Sequence, residues 1–276
     1  MNNPLSDFYR EKSIFVKLPT GGKWYKQKPK LTPDGEIGVM PMTMKDEMLF
    51  KIPDSLYNGE SLYEVLKSIV PDIADPYEIS IPDVDVILLA SRAVSTDTEL
   101  PIDARCPHCG EITSYSINIP MILSRIKPIT SDAEIEIKNL IIRLRPNTLA
   151  SVTASSMQGV ESARLVAAVG SDPNANTKDL LQKSLEKATA SGIGVLADSI
   201  ESITMPNGTV VTDQTHIMQW VANSDATTTN VIKKLSMDLN KNGIQNEFPF
   251  SCSNEECAKE FVSSVEFNPT FFFTKK

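Results

Sequence analysis

Four cysteines, grouped as two distant pairs, constrain this chain more than any other feature. Two residues separate Cys106 from Cys109, and four residues separate Cys252 from Cys257. At these spacings a tight turn lets both thiolates of a pair point at one tetrahedral zinc centre. Gly110 follows the first pair, where such a turn usually needs a residue with positive φ. The sequence therefore predicts one zinc ion with four thiolate ligands, joining parts of the chain that lie about half its length apart.

Other interpretations of the cysteines stay open at this point. They could be four free thiols, or they could hold iron or an iron–sulfur cluster, and His108 could replace one cysteine as a ligand. Clustered cysteines in a reducing compartment favour metal binding, and a residue inside a metal-binding loop usually points to solvent. Because four thiolates leave no coordination position for water, the predicted role of Zn²⁺ is structural, not catalytic.

The expected compartment follows from the N-terminal sequence. Residues 1–7 have neither the basic start nor the apolar stretch of a signal peptide. The chain also contains no apolar run long enough to span a membrane. We therefore expect synthesis in a reducing cytoplasm, with no membrane-spanning segment and with the cysteines reduced.

Both cysteine pairs lie in the same local pattern. An apolar–Pro–apolar triplet precedes each pair, at residues 100–102 and 248–250, and alternating apolar residues and then a proline follow it. Alternation of this kind is typical of a strand. The pattern predicts two β-hairpins that pack side by side, each with a cysteine-bearing turn.

Helix signals lie before and between the hairpins. Capping patterns predict three short helices that begin at Thr43, at Ser61 and at Asp83. Between the hairpins, apolar periodicity predicts a β-hairpin at 134–145 followed by several helices, one of them interrupted around Gly192 and Gly194.

We therefore expect an α+β fold in three parts. Residues 1–41, with five prolines, form an extended N-terminal arm with a short strand at 15–18. Residues 42–120 and 246–276 form helices and the zinc-ribbon-like pair of hairpins. Residues 121–245 form a large, mainly helical insertion.

Charge and motifs narrow the function classes. The formal net charge is -8. A protein this acidic repels a phosphate backbone, and no nucleic acid is therefore expected as a partner. No nucleophile–base motif, phosphate-binding loop or dinucleotide fingerprint occurs, and His216 reads as a surface or capping residue. We therefore expect no catalytic residues, and a scaffold or binding protein instead of an enzyme.

The N-terminal segment is a candidate interface. Residues 1–34 hold seven basic and three acidic residues, so the acidic excess lies in the rest of the chain. Phe8, Tyr9 and Arg10 are residue types that dominate protein interfaces, and they stand near a terminus. We expect these three residues to dock on a neighbouring protein.

Five stretches carry a resemblance to a known family: residues 15–22, 40–47, 85–92, 217–239 and the aromatic tail at 271–273. They resemble the baseplate hub subunit and baseplate assembly protein family of T4-like bacteriophages. The resemblance implies a structural or assembly protein in the hub region of a contractile tail baseplate. It implies other tail and baseplate proteins as partners, no cofactor besides the metal, and a place in the virion after assembly in the bacterial host cytoplasm.

Two rival functions remain. A zinc ribbon also occurs in nucleic-acid-binding and transcription-related proteins, although the second cysteine loop, residues 253–256, lacks basic residues. The chain could also be a baseplate assembly chaperone that is absent from the mature virion.

Overall fold

The fold is α+β, with eight α-helices and small antiparallel sheets in the part of the chain that is described. A computed structural model describes residues 3–50, 59–95, 98–129, 133–171, 177–241, 243–244 and 247–265. None of the helices in these ranges combines the length and hydrophobicity that a membrane crossing requires.

The first core is built around one buried helix. Strands β1 (Ile14–Lys17) and β2 (Glu36–Val39) pair antiparallel and pack on this helix, α3 (Ile81–Ser95). Helix α2 (Glu60–Ile69) also packs on α3, and α1 (Met44–Leu49) packs on α2. The strand predicted at 15–18 is thus confirmed as β1. Apolar side chains from both strands and all along α3 lie inside this core: Val16, Leu18, Ile37, Val39, Val84, Val86, Ile87, Leu88, Leu89 and Ala90.

Of the three predicted caps, only that at Thr43 is confirmed. Its hydroxyl accepts a hydrogen bond from the N–H of Asp46, whose carboxylate accepts one in return from the N–H of Thr43. The cap at Ser61 is wrong: α2 begins at Glu60 after Gly59 in a left-handed conformation, and the hydroxyl of Ser61 donates to the carbonyl of Leu49. The hydroxyl of Ser61 is therefore used in a tertiary contact and not in the cap that the local pattern predicted.

The predicted cap at Asp83 is also wrong. Helix α3 begins two residues earlier, at Ile81, so Asp83 lies inside the first turn. Its carboxylate accepts hydrogen bonds from the N–H and hydroxyl of Thr20 and from the hydroxyl of Tyr25. These donors come from the segment between β1 and β2, so Asp83 ties the N-terminal segment to α3.

Both predicted cysteine hairpins are present. Strands β3 (Glu99–Arg105) and β4 (Ile112–Asn118) form the first. The short helix α4 (Ile119–Leu123) follows it. Strands β9 (Glu247–Ser251) and β10 (Glu260–Ser264) form the second. The cysteines lie in the turns of the two hairpins, at one end of each.

A second core lies between the hairpins in sequence. Its four-stranded antiparallel sheet has the order β5 (Glu134–Ile137), β6 (Leu140–Leu144), β7 (Ile200–Thr204), β8 (Val210–Val211). The hairpin predicted at 134–145 is confirmed, whereas the pairing of β6 with β7 was not foreseen. The helices of this part of the chain are α5 (Leu149–Ser171), α6 (Thr177–Asp198), α7 (Gln214–Ala222) and α8 (Ala226–Lys241).

The predicted interruption around Gly192 and Gly194 is wrong, because α6 runs through both glycines without a break. Packing against α5 outweighs the low helix propensity of glycine here. A polar network fixes the base of this helical pair. The side-chain N–H₂ of Asn147 donates to the carbonyl of Val195 at 2.8 Å, and its oxygen accepts from Asn240 at 2.6 Å.

Candidate metal centre

The turn of the first hairpin is closed by backbone hydrogen bonds around Cys106. The N–H of Cys106 donates to the carbonyl of Glu111 at 2.8 Å, and the N–H of Gly110 donates to the carbonyl of Cys106 at 2.9 Å. Gly110 has φ of 80°, as the spacing predicted. The chain therefore curls around the space in front of the two sulfur atoms.

The second hairpin repeats this plan with a longer loop. The N–H of Cys252 donates to the carbonyl of Lys259 at 2.9 Å, and the N–H of Ala258 donates to the carbonyl of Asn254 at 2.8 Å. Ala258 follows Cys257 as Gly110 follows Cys109, and it also has a positive φ, of 45°. Both turns thus end on a left-handed residue directly after their second cysteine.

The two turns bring all four cysteines together. Their sulfur atoms lie within 4.8 Å of one another, with Cys109 at 3.4 Å from Cys252 and Cys106 at 4.0 Å from Cys257. Four thiolates around one ion at roughly 2.3 Å stand about 3.8 Å apart, so the cluster has the size of a tetrahedral metal site. It is the one group of potential ligands in the described ranges, and it could hold a metal ion.

His108 does not belong to this cluster. Its side chain is exposed, whereas Cys106 and Cys252 are buried, Cys257 is half-buried and Cys109 is exposed. The cluster therefore has a closed inner side, which faces the first core, and an outer side where Cys109 is exposed and Cys257 is half-buried.

Backbone N–H groups point at the sulfur atoms. Burial raises the pKa of Cys106, but the N–H groups of His108 and Cys109, together with the thiols of Cys252 and Cys109, outweigh it and lower that pKa to about 7. The N–H of Asn254 lowers the pKa of Cys252, but burial and three neighbouring sulfurs raise it to about 12. Four thiols this close do not all ionise unaided, so a cation that neutralises their charge would complete the site.

Aromatic packing also joins the hairpins. The rings of Tyr115 and Phe250 lie 4.5 Å apart between centroids, and Phe261 lies 5.9 Å from Phe250. The hydroxyl of Tyr115 donates to the carbonyl of Ser251 at 2.9 Å, across the two hairpins. Sequence reasoning assigned Tyr115 only to a strand face. The alternation of apolar and polar residues along β4 was the sequence signal that Tyr115 could pack against another element.

The remaining sequence candidates lie away from the cysteines. His216 is exposed in the first turn of α7, where its backbone N–H donates to Asp213, the residue that caps this helix. Phe8 and Tyr9 are 83% and 60% exposed. Arg10 instead contacts its own chain, with its guanidinium on the carbonyls of Pro41 and Ser68 and on the carboxylate of Asp46.

Comparison with known proteins matches this chain to a protein family. The model of the family described as T4 bacteriophage base plate protein matches residues 11–273. No curated protein and no solved structure matches the chain. The matched range includes both cysteine hairpins and the second core between them. The chain therefore belongs to the T4 bacteriophage base plate protein family.

Proposed function

We propose that this protein is a structural or assembly component of the hub region of a contractile tail baseplate, held together by one structural Zn²⁺. The observation that carries the proposal is the four-cysteine cluster, which joins two distant hairpins of a baseplate-family chain. Its partners are other tail and baseplate proteins, and its place is the virion tail. The role is mechanical, and we assign no catalytic residue.

We propose zinc, not a redox-active metal, as the occupant of the cluster. Two short hairpins have little core of their own, and a Cys₄ zinc centre adds stability without exposing an open coordination position. Iron with four thiolates is the competing occupant. Metal analysis of the freshly purified chain separates the two, with one zinc and no iron per chain expected.

A pair of variants tests which residues bind the metal. Cys252→Ser should lose the zinc, because it removes a buried ligand. His108→Ala should keep it, since His108 lies outside the cluster. Stoichiometric zinc in the cysteine variant, or its loss in the histidine variant, would contradict the ligand set.

We also propose the three-part organisation of the chain, with residues 1–41 as an arm whose two strands pack into the first core and residues 121–245 as an insertion between the hairpins. Two separate hydrophobic clusters support it. Almost all of the first comes from residues 16–122 and 244–265, and the second comes from residues 129–239. Limited proteolysis should release the inserted part as a resistant fragment, and uniform degradation would count against it.

The nucleic-acid alternative predicts a different surface. The tips of the cysteine turns carry Pro107 and His108 on one side and residues 253–256 on the other, and no Lys or Arg stands among them. A phosphate-binding ribbon needs such cations. A gel shift at low salt should show no binding, and a tight, salt-sensitive complex would favour the alternative.

We propose that Phe8 and Tyr9 dock on a neighbouring baseplate protein while Arg10 holds them in place. The polar side chain of Arg10 points into its own chain and the two aromatic side chains point out. Such an arrangement fixes the backbone before binding, which lowers the entropy cost of association. Large aromatic side chains are common interface anchors.

A phage lacking this gene, complemented with variants, tests the docking proposal. Phe8→Ala with Tyr9→Ala should reduce the yield of infectious particles, and the purified variant should unfold like the wild type. Leu185→Ala is the matched control, because Leu185 is an exposed apolar residue on α6. Normal yield from the double variant would contradict the proposal. Mass spectrometry of purified particles then separates a virion component from an assembly chaperone.

A further inference from the structure

We propose that the four cysteines have a second covalent state, formed when the metal is lost in the presence of an oxidant. In this state two disulfides, Cys106–Cys257 and Cys109–Cys252, replace the metal as links between the hairpins. The inference goes beyond the proposed function, and rests on it only for the metal that keeps the thiols reduced beforehand.

Two pairs of sulfur atoms across the hairpins lie close together. Cys109 and Cys252 are already 3.4 Å apart, and Cys106 and Cys257 are 4.0 Å apart. A disulfide needs about 2.05 Å, so each pair closes by roughly 1.4–2 Å through side-chain rotation. The ring contact between Tyr115 and Phe250 holds the two hairpins together without the sulfurs.

Accessibility orders the steps. Within each crossing pair one sulfur reaches solvent and the other does not: Cys109 is exposed and Cys252 buried, Cys257 is half-buried and Cys106 buried. A small oxidant therefore reaches Cys109 first, and Cys252, whose sulfur is 3.4 Å away, is placed to complete the bond.

The chemistry is thiol–disulfide exchange with a small disulfide as oxidant. The thiolate of Cys109 attacks one sulfur of the oxidant, forms a mixed disulfide and expels one thiolate. The thiolate of Cys252 then attacks the Cys109 sulfur and expels the second thiolate. Repeating this at Cys257 and Cys106 oxidises four thiols to two disulfides and reduces two oxidant molecules to four thiols.

The second state matches the change of surroundings that a tail protein meets. A baseplate protein is made in a reducing cytoplasm and then acts outside the cell, where disulfides persist and metal ions are diluted. Two crossing disulfides keep the halves of the chain joined in both surroundings. Disulfides within each pair would not keep the halves joined, because neither bond would connect the two hairpins.

The experiment uses the full-length protein, treated with EDTA and oxidised glutathione, alkylated, and digested without reduction. Trypsin leaves the cysteines of the first pair on residues 106–125 and those of the second on residues 242–259. We expect these two peptides to be covalently joined, with four hydrogen atoms lost. Untreated protein should stay fully reduced. Separate peptides, free thiols or disulfide-linked dimers of the chain would overturn the proposal.

Cys109→Ser tests the pairing itself. In this variant only the Cys106–Cys257 bond should form. Cys252 should remain a free thiol and therefore be alkylated in the next step. Cleavage with a glutamyl endopeptidase after Glu255 or Glu256 separates Cys252 from Cys257 and shows which of them is joined. A bond from Cys106 to Cys252 would overturn the pairing. Zinc analysis of the untreated protein tests the proposed metal separately, so the two failures are distinguishable.

Discussion

The hydroxyl of Tyr25 donates a hydrogen bond of 2.8 Å to Oδ2 of Asp83, and both side chains are buried. The N–H of Thr20 donates to the other carboxylate oxygen at 3.0 Å. Burial raises the pKa of Asp83 to about 6, although the donors from Thr20 and Tyr25 pull it down. The contact joins the segment after β1 to the first turn of α3, so its strength affects the whole first core.

Stability should depend on pH through Asp83. Its folded-state pKa lies above the ordinary value of 3.8, so its contribution is fully present below that value and is lost as pH rises through about 6. Asp83→Asn removes this titration. Between pH 4 and pH 7 the wild type should lose about 2 kcal/mol relative to the variant, since one pKa unit is worth about 1.4 kcal/mol.

Urea unfolding of both proteins at the two pH values measures this difference. Comparing them at each pH cancels the contribution of metal binding, which also depends on pH. A constant difference across the range would show that Asp83 does not titrate as described.

Arg10 should matter for stability far more than Lys12 does. Its guanidinium donates to the carbonyls of Pro41 and Ser68 and lies 3.3 Å from the buried Asp46. Arg10→Ala should lower the free energy of unfolding by about 2–3 kcal/mol, because Asp46 loses a charged partner. Lys12→Ala, which breaks a more exposed ion pair, should cost under about 1 kcal/mol. Equal effects of the two variants would contradict this.

Two glycines should respond to alanine in opposite directions. Gly59 has φ of 71°, and a Cβ there would stand 2.4 Å from Cγ2 of Thr153, so Gly59→Ala should be strongly destabilising. A Cβ on Gly192, inside α6, meets nothing within 4 Å. Gly192→Ala should therefore stabilise the protein by about 0.5–1 kcal/mol. Thermal unfolding of both variants checks the signs.

Replacing Ala258 should increase thermal stability at the second cysteine turn. A left-handed conformation costs a residue with a Cβ roughly 1–2 kcal/mol, and glycine avoids most of this cost. Ala258→Gly should therefore raise the midpoint of thermal unfolding in the metal-loaded protein. The same substitution at Ala188, exposed within α6, should lower it. A decrease at both positions would mean that Ala258 is not strained.

Local patterns predicted the features that depend on short stretches of chain. The cysteine hairpins followed from alternation and from the Cys106–Cys109 spacing, and the cap at Thr43 followed from its capping box. Features set by distant residues could not be read in this way. The pairing of Ile142 with Ile203 joins strands separated by two long helices, and no local signal marks it.

Asp83 shows why the other local predictions were wrong. An Asp before an apolar run is a helix-capping signal. Here its carboxylate instead accepts hydrogen bonds from three donors that lie 58 and 63 residues away in the sequence. Burying a carboxylate is costly unless it is hydrogen-bonded, so the tertiary contacts decide its position. The hydroxyl of Ser61 likewise donates to the carbonyl of Leu49 and does not cap its own helix.

The crossing of the cysteine pairs also sets a schedule for synthesis. A ribosome adds Cys106 and Cys109 long before it adds Cys252, and at 5–20 residues per second the delay is on the order of ten seconds. Phe248, Phe250 and Phe261 of the first core arrive equally late. The first hairpin must therefore wait, with its thiols unpaired by the second pair, until Cys252 and Cys257 have been translated. The segment with the second core has that interval in which to fold.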